Sequence, residues 1–217
     1  MSELIQIPGG GSFDAALHEY RDANNVVVPS VTQIGESLGF MDFDNVPGNT
    51  LEHKRQIGDA VHFATHLLDT NQDLDWSTVH EECAPYIAGY LKFQDEMNVV
   101  IEESEVMGIF TTNGMPFSFT RDKVARIGNI KHRFILELKC AYKEEAYWRY
   151  QTAAYDIATP RKQPGEYLGR MAVQLKPDGG YKTYLYENPR DKDRFLYMLA
   201  VVHTKIEHKL KWQKIKT

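Results

Sequence analysis

Cysteine is nearly absent: of 217 residues only Cys83 and Cys140 carry a thiol. Two thiols far apart in sequence exclude a disulfide framework, a zinc ribbon and a four-cysteine iron–sulfur cluster, and they suit a reducing, cytoplasmic compartment. Long apolar runs are missing too. None approaches the roughly 18 residues of a bilayer span, so no membrane partner is expected. The start, Met1-Ser-Glu-Leu-Ile-Gln6, has neither the basic nor the apolar segment of a secretion signal. Basic charge is not in excess either. At a formal net charge of −5, any nucleic-acid partner has to meet a local basic groove on an acidic body, with Lys139, Arg121, Lys123 and Arg126 as its candidates. Internal repeats and low-complexity tracts do not occur.

What is present describes an ordinary globular chain, 42% hydrophobic and 25% charged. The length fits one domain spanning 1–217. Residues 1–11 read as a loose leader. Ser12 can cap a short helix through about Asp22, with Phe13, Ala16, Leu17 and Tyr20 at helical spacing. Ser30 caps a helix from Val31 to Leu38 that stops at Gly39. Residues 40–50 read as a loop. Longer helices follow over about Leu51–Asp69 and Thr78–Asp95, so 1–96 is expected to be a mostly helical lobe.

The pattern turns to strands at Met97. Strands reach Phe110, run from Met115 to Ile127 after an Asn113-Gly114 hairpin turn, and cover Arg133–Lys139. A helix spans Glu144–Ala158. A hairpin over Arg170–Lys176 and Tyr181–Glu187 and a last helix, Arg190–Lys211, complete the 97–217 core. This order predicts an α/β (α+β) fold with a mixed central sheet flanked by helices.

The strand Phe134-Ile-Leu-Glu-Leu-Lys139 poses the chemical question. Phe134, Leu136 and Leu138 face one way; Ile135, Glu137 and Lys139 face the other. A carboxylate and an ammonium on one face of a core strand are costly unless well paired or bound to an ion. Twelve residues on, Gln151 and Tyr155 share a helix face. If the two preceding strands pair across Gly128-Asn129, Asp122 falls opposite residues 135–137. Two carboxylates ~4 Å apart repel by several kcal/mol at an effective dielectric near 20, and a divalent cation turns that repulsion into a binding site. Oxygen ligands suit Mg²⁺; an added imidazole suits Mn²⁺.

Asp122, Glu137-Leu-Lys139 and Gln151-Thr-Ala-Ala-Tyr155, together with Gly58-Asp-Ala-Val-His62 and Ser30-Val-Thr32, resemble the PD-(D/E)XK nuclease superfamily. Within it they look like the RecB-type and phage-recombination exonuclease branch. The resemblance covers about residues 29–203. It implies a restriction-endonuclease-like core and DNA as substrate. The activity implied is hydrolysis of phosphodiester bonds by metal-activated water, in phage recombination or repair. It also implies a strand-annealing recombination protein as partner. Asp122 and Glu137 would bind Mg²⁺ or Mn²⁺, with the Leu138 carbonyl and His62 as further ligands and Glu105, or in competition Glu103, as an extra acid. Lys139 would position the attacking water, and Gln151 and Tyr155 would hold the site or the DNA strand. No iron–sulfur cluster is expected.

Phe119-Thr-Arg-Asp122 departs from the Gly-Thr-x-Asp usual in relatives, and it favours a rival reading as a catalytically quiet binding member of the fold. Plainer alternatives stand beside these roles. Glu137 and Lys139 suit an edge ion pair, His62 and His66 have zinc-site spacing, and Gly58 can serve close helix packing. The lysines from Lys205 to Lys216 suit a solvated helix end.

Overall fold

The computed structural model describes residues 4–8, 10–15, 17–41 and 48–213. The chain opens with a small antiparallel sheet where the spacing pointed to a leader and a helix. Its strands are β1 (Leu4–Gln6), β2 (Ser12–Asp14), β3 (Glu19–Arg21) and β4 (Val27–Val28), hydrogen-bonded in that order. The expectations of a loose leader over 1–11 and of a helix over 12–22 are corrected here. Phe13 pairs with Tyr20 across β2 and β3, their rings 4.6 Å apart. Leu17, which a helix would have buried, is 64% exposed. Cross-strand pairing of two aromatics outweighs helix propensity over so short a segment. Ile7, Phe13, Tyr20 and Val28 form a satellite core against Met107 and Ile109.

Helices follow. α1 (Val31–Ser37) starts at the predicted Ser30, whose hydroxyl accepts from the Gln33 N–H while Gln33 Oε1 accepts from the Ser30 N–H, a complete capping box. α2 (Gly48–Asp69) begins a turn before the expected Leu51; residues 42–47 of the expected loop lie outside the described residues. The expected helix over 78–95 is a 3₁₀ turn at Trp76–Thr78 and then α3 (Ala84–Glu96), whose start Pro85 sets in the first turn.

The main sheet has five strands in sequence order: β5 (Val99–Thr112), β6 (Met115–Ile127), β7 (Arg133–Lys139), β8 (Leu168–Leu175) and β9 (Tyr181–Leu185). Asn113 and Gly114 both take positive φ (50° and 74°) in the first hairpin turn, as a type I′ turn requires. Only β7 and β8 are parallel. Parallel neighbours need a crossover, and α4 (Trp148–Ala158) lies in it. α5 (Arg190–Glu207) ends the fold. The result is the expected mixed sheet flanked by helices.

The alternation read in β7 separates two cores. Phe134, Leu136 and Leu138 pack with Val61, Ile87 and Phe93 of α2 and α3. Ile135 packs on the other side with Ala154, Phe195 and Leu199 of α4 and α5. α1 is locked to this second layer at Gly35, where an added Cβ would lie 2.5 Å from the Tyr147 ring. Gly35→Ala is therefore expected to destabilise the fold by about 1–3 kcal/mol through overpacking. Equilibrium urea unfolding checks this; an unchanged midpoint would refute the close packing.

Candidate metal centre and active site

The candidate residues meet where two strand ladders are interrupted. Along β5 and β6 the register steps from Ser104↔Lys123 to Val106↔Arg121, skipping the level of Glu105. Glu105 there adopts φ +52°, a left-handed conformation rare for a non-glycine residue inside a strand. Between β6 and β7 the ladder ends at Lys123↔Leu136, and one further step of that register sets Asp122 level with Glu137. Asp122 replaces the missing ladder bond itself. Its Oδ2 accepts from the Leu138 N–H at 2.7 Å, which leaves Oδ1 directed at His62.

His62 comes from the middle of α2. Its Nδ1 lies 3.3 Å from Glu105 Oε1 and 3.5 Å from Asp122 Oδ1. His62, Glu105 and Asp122 each offer one ligand atom, and these atoms lie within 4.8 Å of one another. Glu137 lines the same cavity, which is about 680 Å³. Its Oε1 accepts from Lys139 Nζ at 2.8 Å, whereas its buried Oε2 has no hydrogen-bond partner among the described residues. An orphaned buried carboxylate oxygen demands an explanation. A nitrogen ligand and carboxylate oxygens around one cavity fit a hard divalent cation.

Lys139 is held from three directions. Besides Glu137, its ammonium donates to Gln151 Oε1 at 2.9 Å and lies 6.0 Å from the Trp148 ring. Gln151 in turn donates through Nε2 to the Tyr155 hydroxyl at 3.0 Å. The Gln-x-x-x-Tyr face of α4 is thus a continuous support under the lysine. β7 lies between β6 and β8, Glu137 is buried and Lys139 is only 20% exposed, so the edge ion pair exposed to solvent is not what forms.

Electrostatics follow from this crowding. Burial opposes charge on His62, but Asp122, Glu105 and Glu137 outweigh it and raise its pKa to about 9. Burial first and the Asp122 charge second push the Glu137 carboxyl up to about 8. Burial likewise raises Asp122, against the pull of His62. For Lys139, burial works against the ammonium, yet Glu137 and Asp122 prevail and hold its pKa above the ordinary lysine value. This crowding favours protons on groups that a cation would need bare.

The structure decides several open choices. Glu105, not Glu103, joins the cluster; Glu103 turns to Arg121. Arg121 is buried and points away from the cavity, donating to Thr159 Oγ1 at 2.9 Å. Phe119 is accommodated by Gly108, where an added Cβ would lie 2.6 Å from its ring, and it packs against Tyr155. Arg121 is thus absorbed by packing away from the cavity, whereas Phe119, besides packing on Gly108 and Tyr155, also lines the cavity. Of the four residues expected to offer a basic groove, Lys139 stays partly exposed beside Glu137 and the other three are engaged. Arg121 and Lys123 are buried in ion pairs, and the exposed Arg126 is paired with Glu102. His66 turns its Nδ1 to Ser104 Oγ at 2.9 Å instead of joining His62. Gly58 does not serve close packing, since a Cβ there would meet nothing within 4 Å.

Two contributions were missed in the sequence. Ile5, His18 and Tyr20 of the N-terminal sheet line the cavity, and no local signal places 5–20 beside 122–155. A buried ammonium, Lys123, lies behind Glu105, and nothing in the strand alternation marks it as an ion-pair partner of the site.

No family model matches this chain, and no curated protein matches it in sequence. Among solved structures, it is similar to a protein named SSO0001, with 12% identity and a TM-score of 0.35, over 60% of this chain and 59% of that one. It is also similar to an alkaline exonuclease (LHK-Exo) from Laribacter hongkongensis, with 13% identity and a TM-score of 0.38, over 84% of this chain and 92% of that one.

Proposed function

We propose that this chain is a divalent-metal-dependent nuclease of the PD-(D/E)XK kind, of the RecB-type and phage-recombination branch, acting on DNA as an exonuclease. The observation that carries the reading is the convergence of His62, Glu105, Asp122 and Glu137 on one cavity, with Lys139 paired to Glu137 Oε1 and Glu137 Oε2 without a hydrogen-bond partner among the described residues.

Each residue has a role that its contacts support. His62, Glu105 and Asp122, whose ligand atoms cluster, would hold the cation, Mg²⁺ or Mn²⁺, with Glu137 of the same cavity beside them; Glu137 and the Leu138 carbonyl are the further ligands that the resemblance implies. When bound, the cation supplies Lewis-acid activation of water and a counter-charge for the phosphate. Asp122 is oriented by the Leu138 N–H, so its free oxygen faces the cavity before any ligand arrives. Lys139, fixed between Glu137 and Gln151, orients the attacking water and offsets charge that develops on the phosphate. Tyr155 closes the wall through Gln151. The reaction serves recombination or repair in the cytoplasm, alongside a strand-annealing protein. No helix among the described residues is long and apolar enough to cross a membrane.

An assay on end-labelled linear and closed circular DNA tests this. Release of short products from linear DNA alone, lost in excess chelator and restored by Mg²⁺ or Mn²⁺, is expected. Cleavage that persists in chelator would refute the metal-dependent reading, and equal attack on closed circles would refute the exonuclease.

A further inference from the structure

Behind the cavity lies a second charged cluster that the roles above do not use. Lys123 projects from β6 to the α2 side and is 0% exposed. Its ammonium lies 2.7 Å from Asp69 Oδ2, whose side chain is also fully buried, and donates to Ser104 Oγ at 2.8 Å. Asp69 accepts in addition from the Tyr90 hydroxyl at 2.6 Å, from Gln94 Nε2 at 3.1 Å and from Ser104 Oγ at 3.1 Å. The same ammonium stands 3.7 Å from Glu105 Oε1, the oxygen that faces His62. Ser104 also reaches His66, which lines the cavity.

A lysine withdrawn completely from water needs a reason, because a buried ion pair repays its desolvation only with excellent geometry. Packing alone would be served as well by an apolar pair. The reason is found at Glu105. Its left-handed backbone inside β5 costs on the order of 1–3 kcal/mol and persists only where surroundings over-determine it. One clamp is His62 on the cavity side; the other is Lys123 on the core side. Glu105 is thereby aimed at the shared ligand position, and its charge is balanced when no cation is present.

We propose that Lys123, with Asp69 as its buried counter-ion, is a positioning residue of the metal site: it holds Glu105 in ligand geometry and so sets the affinity for the divalent cation. The proposal rests on the metal-centre reading given above. Lys123 touches neither substrate nor cation and acts only through Glu105.

The test uses the full chain and Mn²⁺ as probe, with affinity read by titration calorimetry and by electron paramagnetic resonance of free Mn²⁺. Lys123→Met combined with Asp69→Asn removes both charges, so the net charge of the site is unchanged, and the amide oxygen introduced at position 69 remains an acceptor for Tyr90 and Gln94. The expected result is a folded protein whose Mn²⁺ affinity is at least tenfold weaker. Glu105→Gln should weaken affinity in the wild-type background, with little further loss in the doubly neutral one, because the two changes act through one ligand. Affinity within threefold of wild type, or fully additive losses, would overturn the proposal. If the double variant does not fold, the wild-type protein still decides. The Lys123 ¹⁵Nζ resonance should shift during Mg²⁺ titration with the midpoint of ion binding, and a resonance that does not move overturns the clamp. Absence of Mn²⁺ binding by wild-type protein would remove the metal-centre reading itself and this inference with it, whereas binding without a Lys123 effect removes the inference alone.

Discussion

Lys139→Ala is expected to lower DNA cleavage by on the order of 10³-fold while leaving the protein folded. The magnitude is that of losing one preorganised charge directed at a developing oxyanion. Lys139 is the cation in contact with Glu137 and the donor to Gln151, so its removal takes away the charge that the proposed mechanism directs at the phosphate without opening a core cavity. Its side chain is 20% exposed at the end of β7, and the main sheet does not depend on it. The Glu137 carboxyl, already raised to about 8, can respond by retaining a proton, which limits the cost of an unpaired buried charge. Glu137→Ala is expected to be equally inactive, because the proposed mechanism makes Glu137 a ligand of the cation and its Oε2 has no hydrogen-bond partner among the described residues. Single-turnover cleavage of end-labelled DNA, with circular dichroism on the same preparations, measures both. A folded variant of either kind with a rate within tenfold of wild type would remove that residue from the chemistry.

The second large effect concerns pH and metal together. In the ion-free protein His62 is raised from 6.5 to about 9 and Glu137 from 4.5 to about 8. A group whose folded pKa is raised stabilises the fold fully below its unfolded value, and that contribution is lost as pH climbs through the folded value. Both groups therefore act with the same sign. Thermal stability of chelator-treated protein should fall from about pH 5 to pH 9, first through Glu137 and then through His62. A divalent cation inverts the trend, because it binds the deprotonated ligands. Mn²⁺ affinity should rise across the same window, and the stabilisation it confers should grow with pH through ligand linkage. Thermal shift assays between pH 5 and 9, with chelator and with Mn²⁺, should give curves that diverge upward in pH. Proton release on Mn²⁺ binding at pH 7, seen as buffer-dependent calorimetric heats, is the corollary. Parallel curves would show that these carboxylates and this imidazole are not the ligands.

Much of the core was legible because its signals are local. The alternation in Phe134–Lys139, the Asn113-Gly114 turn and the Ser30 cap each arise within a few residues. β7, the first hairpin and α1 follow them closely. The convergence of Asp122 with Glu137 was legible through register, since a hairpin counted from Gly128-Asn129 leaves little freedom for where residue 122 lands. The start of the chain was not legible. Phe13 and Tyr20 lie seven apart, a helical interval, yet they meet as a cross-strand pair against Met107 and Ile109. That contact spans about ninety residues, and no local periodicity encodes it.

By itself, the sequence determined the two faces of β7, the placement of Glu137 and Lys139 on one of them, and the Gln151–Tyr155 stripe on α4. These depend on the fixed periods of strand and helix, 2 and 3.6, which any run of residues carries with it. Only the tertiary structure decided between Glu105 and Glu103, sent Arg121 and Lys123 into buried ion pairs, and made the N-terminal sheet a wall of the cavity. Those outcomes turn on an interrupted ladder and a left-handed residue in mid-strand. Such features are stable only because side chains distant in sequence, His62 and Lys123 here, arrive from opposite sides to hold them.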